Sequence, residues 1–130
     1  MAPELIENPH YSNKVDVYSY AIVLYQLLTL KHPYSDEKNL TPYNLFKNVQ
    51  KGVRPTILDR EIKDIYLELI YNCWSGDPDK RPSFIQIVKG FMDYKDEYFD
   101  MNIIDEEEFY DYIDLVTKDL DFSNVGEIGE

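Results

Sequence analysis

Apolar residues recur along this chain with helical rather than strand spacing. The first block runs from about Lys14 to Leu30 and leaves no wide polar face: Val15, Val17, Tyr18, Tyr20 to Tyr25, Leu27 and Leu28 are all apolar or aromatic. A helix apolar on nearly every side belongs at the centre of a domain. Asp16, Ser19 and Gln26 interrupt it, and it is too short to cross a bilayer, which needs about 18 apolar residues. Asn13 is its expected N-cap, and Asp16, three residues on, suits the positive end of the helix dipole. Lys31–Leu40, with Pro33, Ser35, Asp36 and Asn39, reads as a loop. Thr41-Pro42 supplies a cap and a proline at the first helical position, and Gly52 is the expected C′ residue of that second helix.

A third helix is expected from roughly Arg60 to Trp74. Its stripe is Ile62, Ile65, Tyr66, Leu69, Ile70 and Cys73, at steps of three and four. Ser75-Gly76-Asp77-Pro78 is turn chemistry. Ser83 with Gln86 forms a capping box that opens a fourth helix to about Tyr94. Two apolar residues flanking Arg54-Pro55-Thr56 do not make a strand, so the fold class is all-α, with about four helices in the body. Further on, Phe109, Tyr112, Ile113, Val116 and Leu120 fall on one helical face, and Asp105 to Glu108 place negative charge at its start. This predicts a tail helix. Phe122 to Glu130 has no periodicity and is expected to fray.

Charge sharpens this division. The net charge of −12 is confined to one end of the 130 residues. Residues 1–92 hold 11 acidic and 11 basic side chains, whereas residues 93–130 hold 14 acids against Lys95 and Lys118. The expected organisation is therefore a neutral body, 1–92, and an acidic tail, 93–130, partly helical or disordered. Neither carries the clustered Lys and Arg needed for nucleic acid or for anionic lipid. The start of the chain has no basic segment followed by an apolar one, so no secretory signal is read there, and a cytoplasmic location is the default expectation. One cysteine, Cys73, allows no internal disulfide and no cysteine-based zinc cluster. On the apolar stripe of its helix it is expected to be an inert core thiol.

Several short strings then fall in a meaningful order. Met1-Ala2-Pro3-Glu4 resembles the Ala-Pro-Glu motif that closes the activation segment of protein kinases. Asp16-Val17-Tyr18-Ser19-Tyr20 resembles the string that opens the family's buried central helix, although Ala21 stands where glycine is usual. Cys73-Trp74, Asp77-Pro78 and Arg81-Pro82-Ser83-Phe84 resemble the end of the domain in the tyrosine kinase and tyrosine-kinase-like branch. His32-Pro33-Tyr34 and Gly52-Val53-Arg54-Pro55 sit where that branch has similar loops. The resemblance covers residues 1–92, a helical C-lobe portion from Ala-Pro-Glu onward, and its structural motif residues here are Ala2, Pro3, Glu4, Asp16, Trp74 and Arg81.

The resemblance implies that Glu4 forms a buried ion pair with Arg81, that Asp16 accepts hydrogen bonds from a catalytic loop, and that Trp74 anchors the core. It also implies ATP and Mg2+ for the intact domain, with ATP-dependent phosphorylation of proteins, of the serine/threonine-directed kind, in signal transduction. Phosphoryl transfer needs a cover over the phosphates, a lysine, metal ligands and a residue that orients the nucleophile. The five glycines form no Gly-x-Gly-x-x-Gly loop, and there is no His-Arg-Asp or Asp-Phe-Gly string. No catalytic, cofactor-binding or metal-binding residue is assigned, and no cofactor is expected on this chain alone, which is expected to be inactive by itself. His10 and His32 are read as solvated loop residues. The expected partners are a protein substrate or partner protein and the missing remainder of a kinase domain. The alternative is a non-catalytic interaction or scaffold module derived from a kinase lobe, with Tyr94, Tyr98, Tyr110 and Tyr112 in its acidic tail.

Overall fold

The computed structural model describes residues 1–6, 8, 10–38, 40–58 and 62–129. Among them there are α-helices and 3-10 turns and no strand, in agreement with an all-α fold. The chain divides into two compact units, Met1–Ser83 with Gly129, and Phe84–Ile128.

The first unit opens with a 3-10 turn, Pro3–Ile6, followed by α1, Lys14–Thr29. Asn13 occupies the N-cap position of α1 but does not cap it with its side chain. It is itself helical and its side chain accepts no capping hydrogen bond; the Ser12 hydroxyl accepts from the Lys14 amide instead, at 3.2 Å. Leu30 ends the helix in the left-handed conformation, φ 57°, with its N–H donating to the Gln26 carbonyl. Helix α2, Pro42–Gln50, starts as expected, because the Thr41 hydroxyl accepts from the Asn44 amide at 3.2 Å. At its end the Gly52 N–H donates to Val49 O and the Val53 N–H to Asn48 O. That is the paired-bond pattern of a Schellman cap, and it requires Gly52 at φ 101°.

Helix α3, Asp64–Cys73, is shorter than expected. Ile62 lies ahead of it and is buried nonetheless, while Asn39 and Arg60 lie outside the described residues. A 3-10 turn, Pro78–Lys80, follows, capped by the Asp77 carboxylate, which accepts from the Asp79 amide at 3.0 Å. Helices α1 and α3 pack together. Val17, Tyr18, Ala21, Leu24 and Tyr25 from α1 share the core with Leu69, Ile70, Cys73 and Trp74. Burial pushes the Cys73 thiol up to about 12, which leaves it protonated and unreactive.

Helix α1 is not buried on every side. Asp16, Ser19, Val23, Leu27 and Leu30 are exposed, Leu27 at 68% and Leu30 at 88%. Their spacing of three and four residues makes one continuous stripe along the helix. The composition of α1 suits burial all round, but α3 covers only one side of it.

The second unit holds α4 (Phe84–Asp93), a short α5 (Lys95–Tyr98) that periodicity did not indicate, and α6 (Glu106–Thr117). Phe91, Tyr98, Phe99 and Phe109 form its aromatic cluster, with Phe91 and Tyr98 edge to face at 4.8 Å and Phe99 and Phe109 at 5.5 Å. The Asp105 carboxylate caps α6 by accepting from the Glu108 amide at 3.1 Å. Residues 122–129 do not fray as expected. The Gln86 amide lies 3.4 Å from the Gly126 and Glu127 carbonyls, and the Ile128 side chain lies over Gly90. A Cβ at Gly90 would lie 3.2 Å from the Ile128 Cδ1, closer than ordinary contact.

Candidate functional site

The densest polar arrangement in the first unit is built around Arg81. Its side chain is fully buried, and a buried guanidinium must satisfy its donors or carry a large desolvation cost. Nη1 donates to Glu4 Oε1 at 2.6 Å and Nη2 to Glu4 Oε2 at 2.9 Å, a bidentate fork. Nη1 also donates to Lys14 O at 3.1 Å, and Nε donates to Ser75 O at 2.8 Å. Lys14 completes the exchange by donating its Nζ to the Arg81 carbonyl. Three separate pieces of chain meet on one side chain: the first 3-10 turn, the start of α1 and the segment after α3.

Glu4 is held by opposing forces. Burial acts to raise its pKa, but the hydrogen bond from Arg81, one from its own backbone amide, and the charges of Arg81 and Arg54 outweigh it. The net result is a carboxyl below its ordinary value. Tyr18 forms the floor of the arrangement. Its ring meets two guanidiniums, with Arg54 and Arg81 each 5.1 Å from the ring centroid. Arg54 in turn donates Nε to Trp74 O and Nη1 to the Val49 and Val53 carbonyls, each at 2.9 Å. Trp74 is buried, in edge contact with Tyr71 at 5.9 Å and tilted against Tyr25 at 6.3 Å.

The residues singled out in the sequence are thus only partly gathered. Glu4, Arg81 and Trp74 belong to one network, with Ala2 fully buried beside Pro3 at the start of the chain. Asp16 does not join them: it is exposed, at the head of the open stripe of α1. Arg54, Tyr18 and Lys14 were missed as members. The signal for Arg54 was weak, an arginine beside a buried proline, because its acceptors are backbone carbonyls that no residue type announces. The arrangement clamps backbone and contains no exposed nucleophile with a neighbouring base. Among the described residues no three His, Cys, Asp or Glu side chains are grouped to hold a metal ion. No helix among the described residues is long and apolar enough to cross a membrane.

This geometry coincides with a family match. The family model described as protein tyrosine and serine/threonine kinase matches residues 1–91. The chain belongs to that kinase family. The serine/threonine-protein kinase STY17 of Arabidopsis thaliana is 47% identical over 90 residues, which cover 68% of this chain and 15% of that protein. The RGS domain-containing serine/threonine-protein kinase A of Dictyostelium discoideum is 43% identical over 88 residues, 68% of this chain and 8% of that protein. The mitogen-activated protein kinase kinase kinase 7 of Bos taurus is 38% identical over 99 residues, 76% of this chain and 17% of that kinase. The chain therefore spans less than a fifth of the length of each of these kinases.

Proposed function

We propose that this chain is the C-terminal, structural part of a protein kinase catalytic domain, 1–92, followed by an acidic tail, 93–130. In the intact domain it supports ATP-dependent phosphorylation of serine or threonine in proteins, and by itself it does not transfer phosphate. The observation that carries this reading is the open stripe of α1, where Asp16, Ser19, Val23, Leu27 and Leu30 face solvent. An apolar stripe on a helix whose other side is a packed core is half of an interface. The resemblance assigns its other half to the catalytic-loop side of the domain, with Asp16 accepting backbone hydrogen bonds from that loop. The Glu4–Arg81 clamp is then the tie that holds the end of the activation segment against the last helices. ATP and Mg2+ belong to the remainder of the domain, since the motifs that hold them do not occur in this sequence. The serine/threonine direction is supported by the relatives, all of which are serine/threonine or mitogen-activated protein kinase kinase kinases by name.

A chimera tests this reading. The part of STY17 that precedes its match to this chain is joined in frame to Met1. The chimera is expected to bind Mg-ATP and to phosphorylate a serine/threonine protein substrate, while the chain alone gives no heat of binding with Mg-ATP. Tight nucleotide binding by the chain alone, or a folded chimera without activity, would refute the proposal.

A further inference from the structure

The tail helix α6 carries a second open apolar face, and its chemistry differs from that of α1. Phe109, Ile113 and Thr117 are the less exposed positions of α6, with Phe109 in the aromatic cluster of its unit. Lys95 reinforces that side, its Nζ lying 4.4 Å from the Tyr110 ring centroid and 3.9 Å from the Glu106 carboxylate. The adjoining arc is uncovered: Tyr112 is 63% exposed, Leu115 65% and Val116 49%. With 3.6 residues per turn these three span about 100° of the helix surface. Glu108 falls within the same arc and Asp111 borders it, both exposed, while Lys118 and Asp119 follow in the turn after the helix. Helix α6 contains five carboxylates and no basic residue. The face is therefore apolar along its middle and anionic around its rim.

That rim restricts what can cover the face. An anionic membrane surface is repelled by it. A second copy of α6 would bring two five-carboxylate helices into contact, which like-charge repulsion opposes. A cationic amphipathic helix satisfies both features, its apolar side meeting Tyr112, Leu115 and Val116 while flanking Lys or Arg meet Glu108 and Asp111. The geometry points to α6 as a docking helix for a basic amphipathic helix of a partner protein, laid against it in the helix-on-apolar-face mode.

The probe is a fluorescein-labelled amphipathic peptide of about 18 residues, leucine on one face and lysine on the other, long enough for about five helical turns. It is titrated by anisotropy with the full 130-residue chain. Saturable binding is expected, weakened at least about tenfold by Leu115→Ala combined with Val116→Ala. Both substitutions are at exposed positions and leave every charge in place, and circular dichroism checks that helix content is retained. Binding should also weaken as salt rises, because the rim is exposed. Four results would overturn the assignment: no saturable binding, equal binding by the double variant, binding lost instead with Val23→Ser and Leu27→Ser, or self-association of the chain that the double variant abolishes.

Discussion

Helices α1 and α6 each present one packed side and one open apolar side, but the two open sides are made of different material. On α1 the open residues match the buried ones in kind: Leu24 is 8% exposed and Leu27, less than one turn on, is 68% exposed. Only Asp16, at the head of the stripe, is charged. On α6 the open residues are ringed by carboxylates and the packed line is short. On the reading proposed above, the Val23 and Leu27 side of α1 is half of an interface within a kinase domain. An open face with a charged rim is one that solvent tolerates and that a partner can visit. The two proposals set an interface within a folded domain against a docking surface, and each part of that contrast can be tested.

The largest effect should come from the clamp that closes the packed side of α1. Glu4→Ala removes the carboxylate that Arg81 grips with both Nη groups and leaves a buried guanidinium partly unpaired. Breaking a buried pair from one side costs about 3–5 kcal/mol, and urea unfolding of the chain should show a loss in that range. The same pair sets an acid limit. The Glu4 carboxyl lies below its ordinary 4.5 when folded, so its contribution is complete above that value and disappears as pH falls through the folded pKa. Wild-type stability should drop on acidification through this window, and Glu4→Gln should flatten the drop.

The next effect compares the two sides of α1 directly. Leu24→Ala opens a cavity in a packed core and should cost about 2–3 kcal/mol. Leu27→Ala should cost no more than about 0.5 kcal/mol in the chain as it stands, because its side chain already meets water. Equal costs would mean that the two sides of α1 are equally covered in solution and would dissolve the comparison.

What the sequence made legible follows a physical division. Features set by a few neighbouring residues could be read: the Thr41-Pro42 start, Gly52 at the end of α2, and the tail helix opened by Asp105. Each depends on hydrogen bonds within about five positions, and residue type announces them. Features set by distant partners could not be read that way. Arg54 reaches Trp74 O across 20 residues, and Gln86 approaches Gly126 O across 40. Leu30 ends α1 in a conformation that glycine would have signalled, and leucine conceals it. The pairing of Glu4 with Arg81 spans 77 positions and came from the kinase resemblance, since spacing alone gives no reason for it. Which side of α1 stays open, the one with Val23 and Leu27, could not be read either: their sequence describes a buried helix, and only the packing reveals the open side.

Gly52 offers a smaller effect that sharpens the contrast between local and distant determinants. It sits at φ 101° with nothing near the position a Cβ would take. Gly52→Ala therefore introduces backbone strain without a steric clash, and should cost about 1–2 kcal/mol. Thermal unfolding is the check. A neutral result would mean that the two bonds capping α2, Gly52 to Val49 O and Val53 to Asn48 O, contribute nothing in solution.

The smallest effect on the chain alone is the most telling for its role. Val23→Ser with Leu27→Ser replaces two exposed apolar side chains by hydroxyls, and should change the unfolding free energy of the chain by no more than about 0.5 kcal/mol. The apolar patch shrinks, so aggregation and binding of a hydrophobic dye should fall. In the STY17 chimera the same pair should do the reverse, because those positions would then be covered and each hydroxyl would enter an interface without a partner. Burying an unpaired hydroxyl costs about 1–3 kcal/mol, so the two together should lower the stability of the chimera well beyond their effect on the chain alone. A pair of substitutions harmless in one context and damaging in the other identifies an interface surface. Equal, small effects in both would mean that the open side of α1 stays open in the larger domain, and the kinase-lobe reading of that stripe would fail with it.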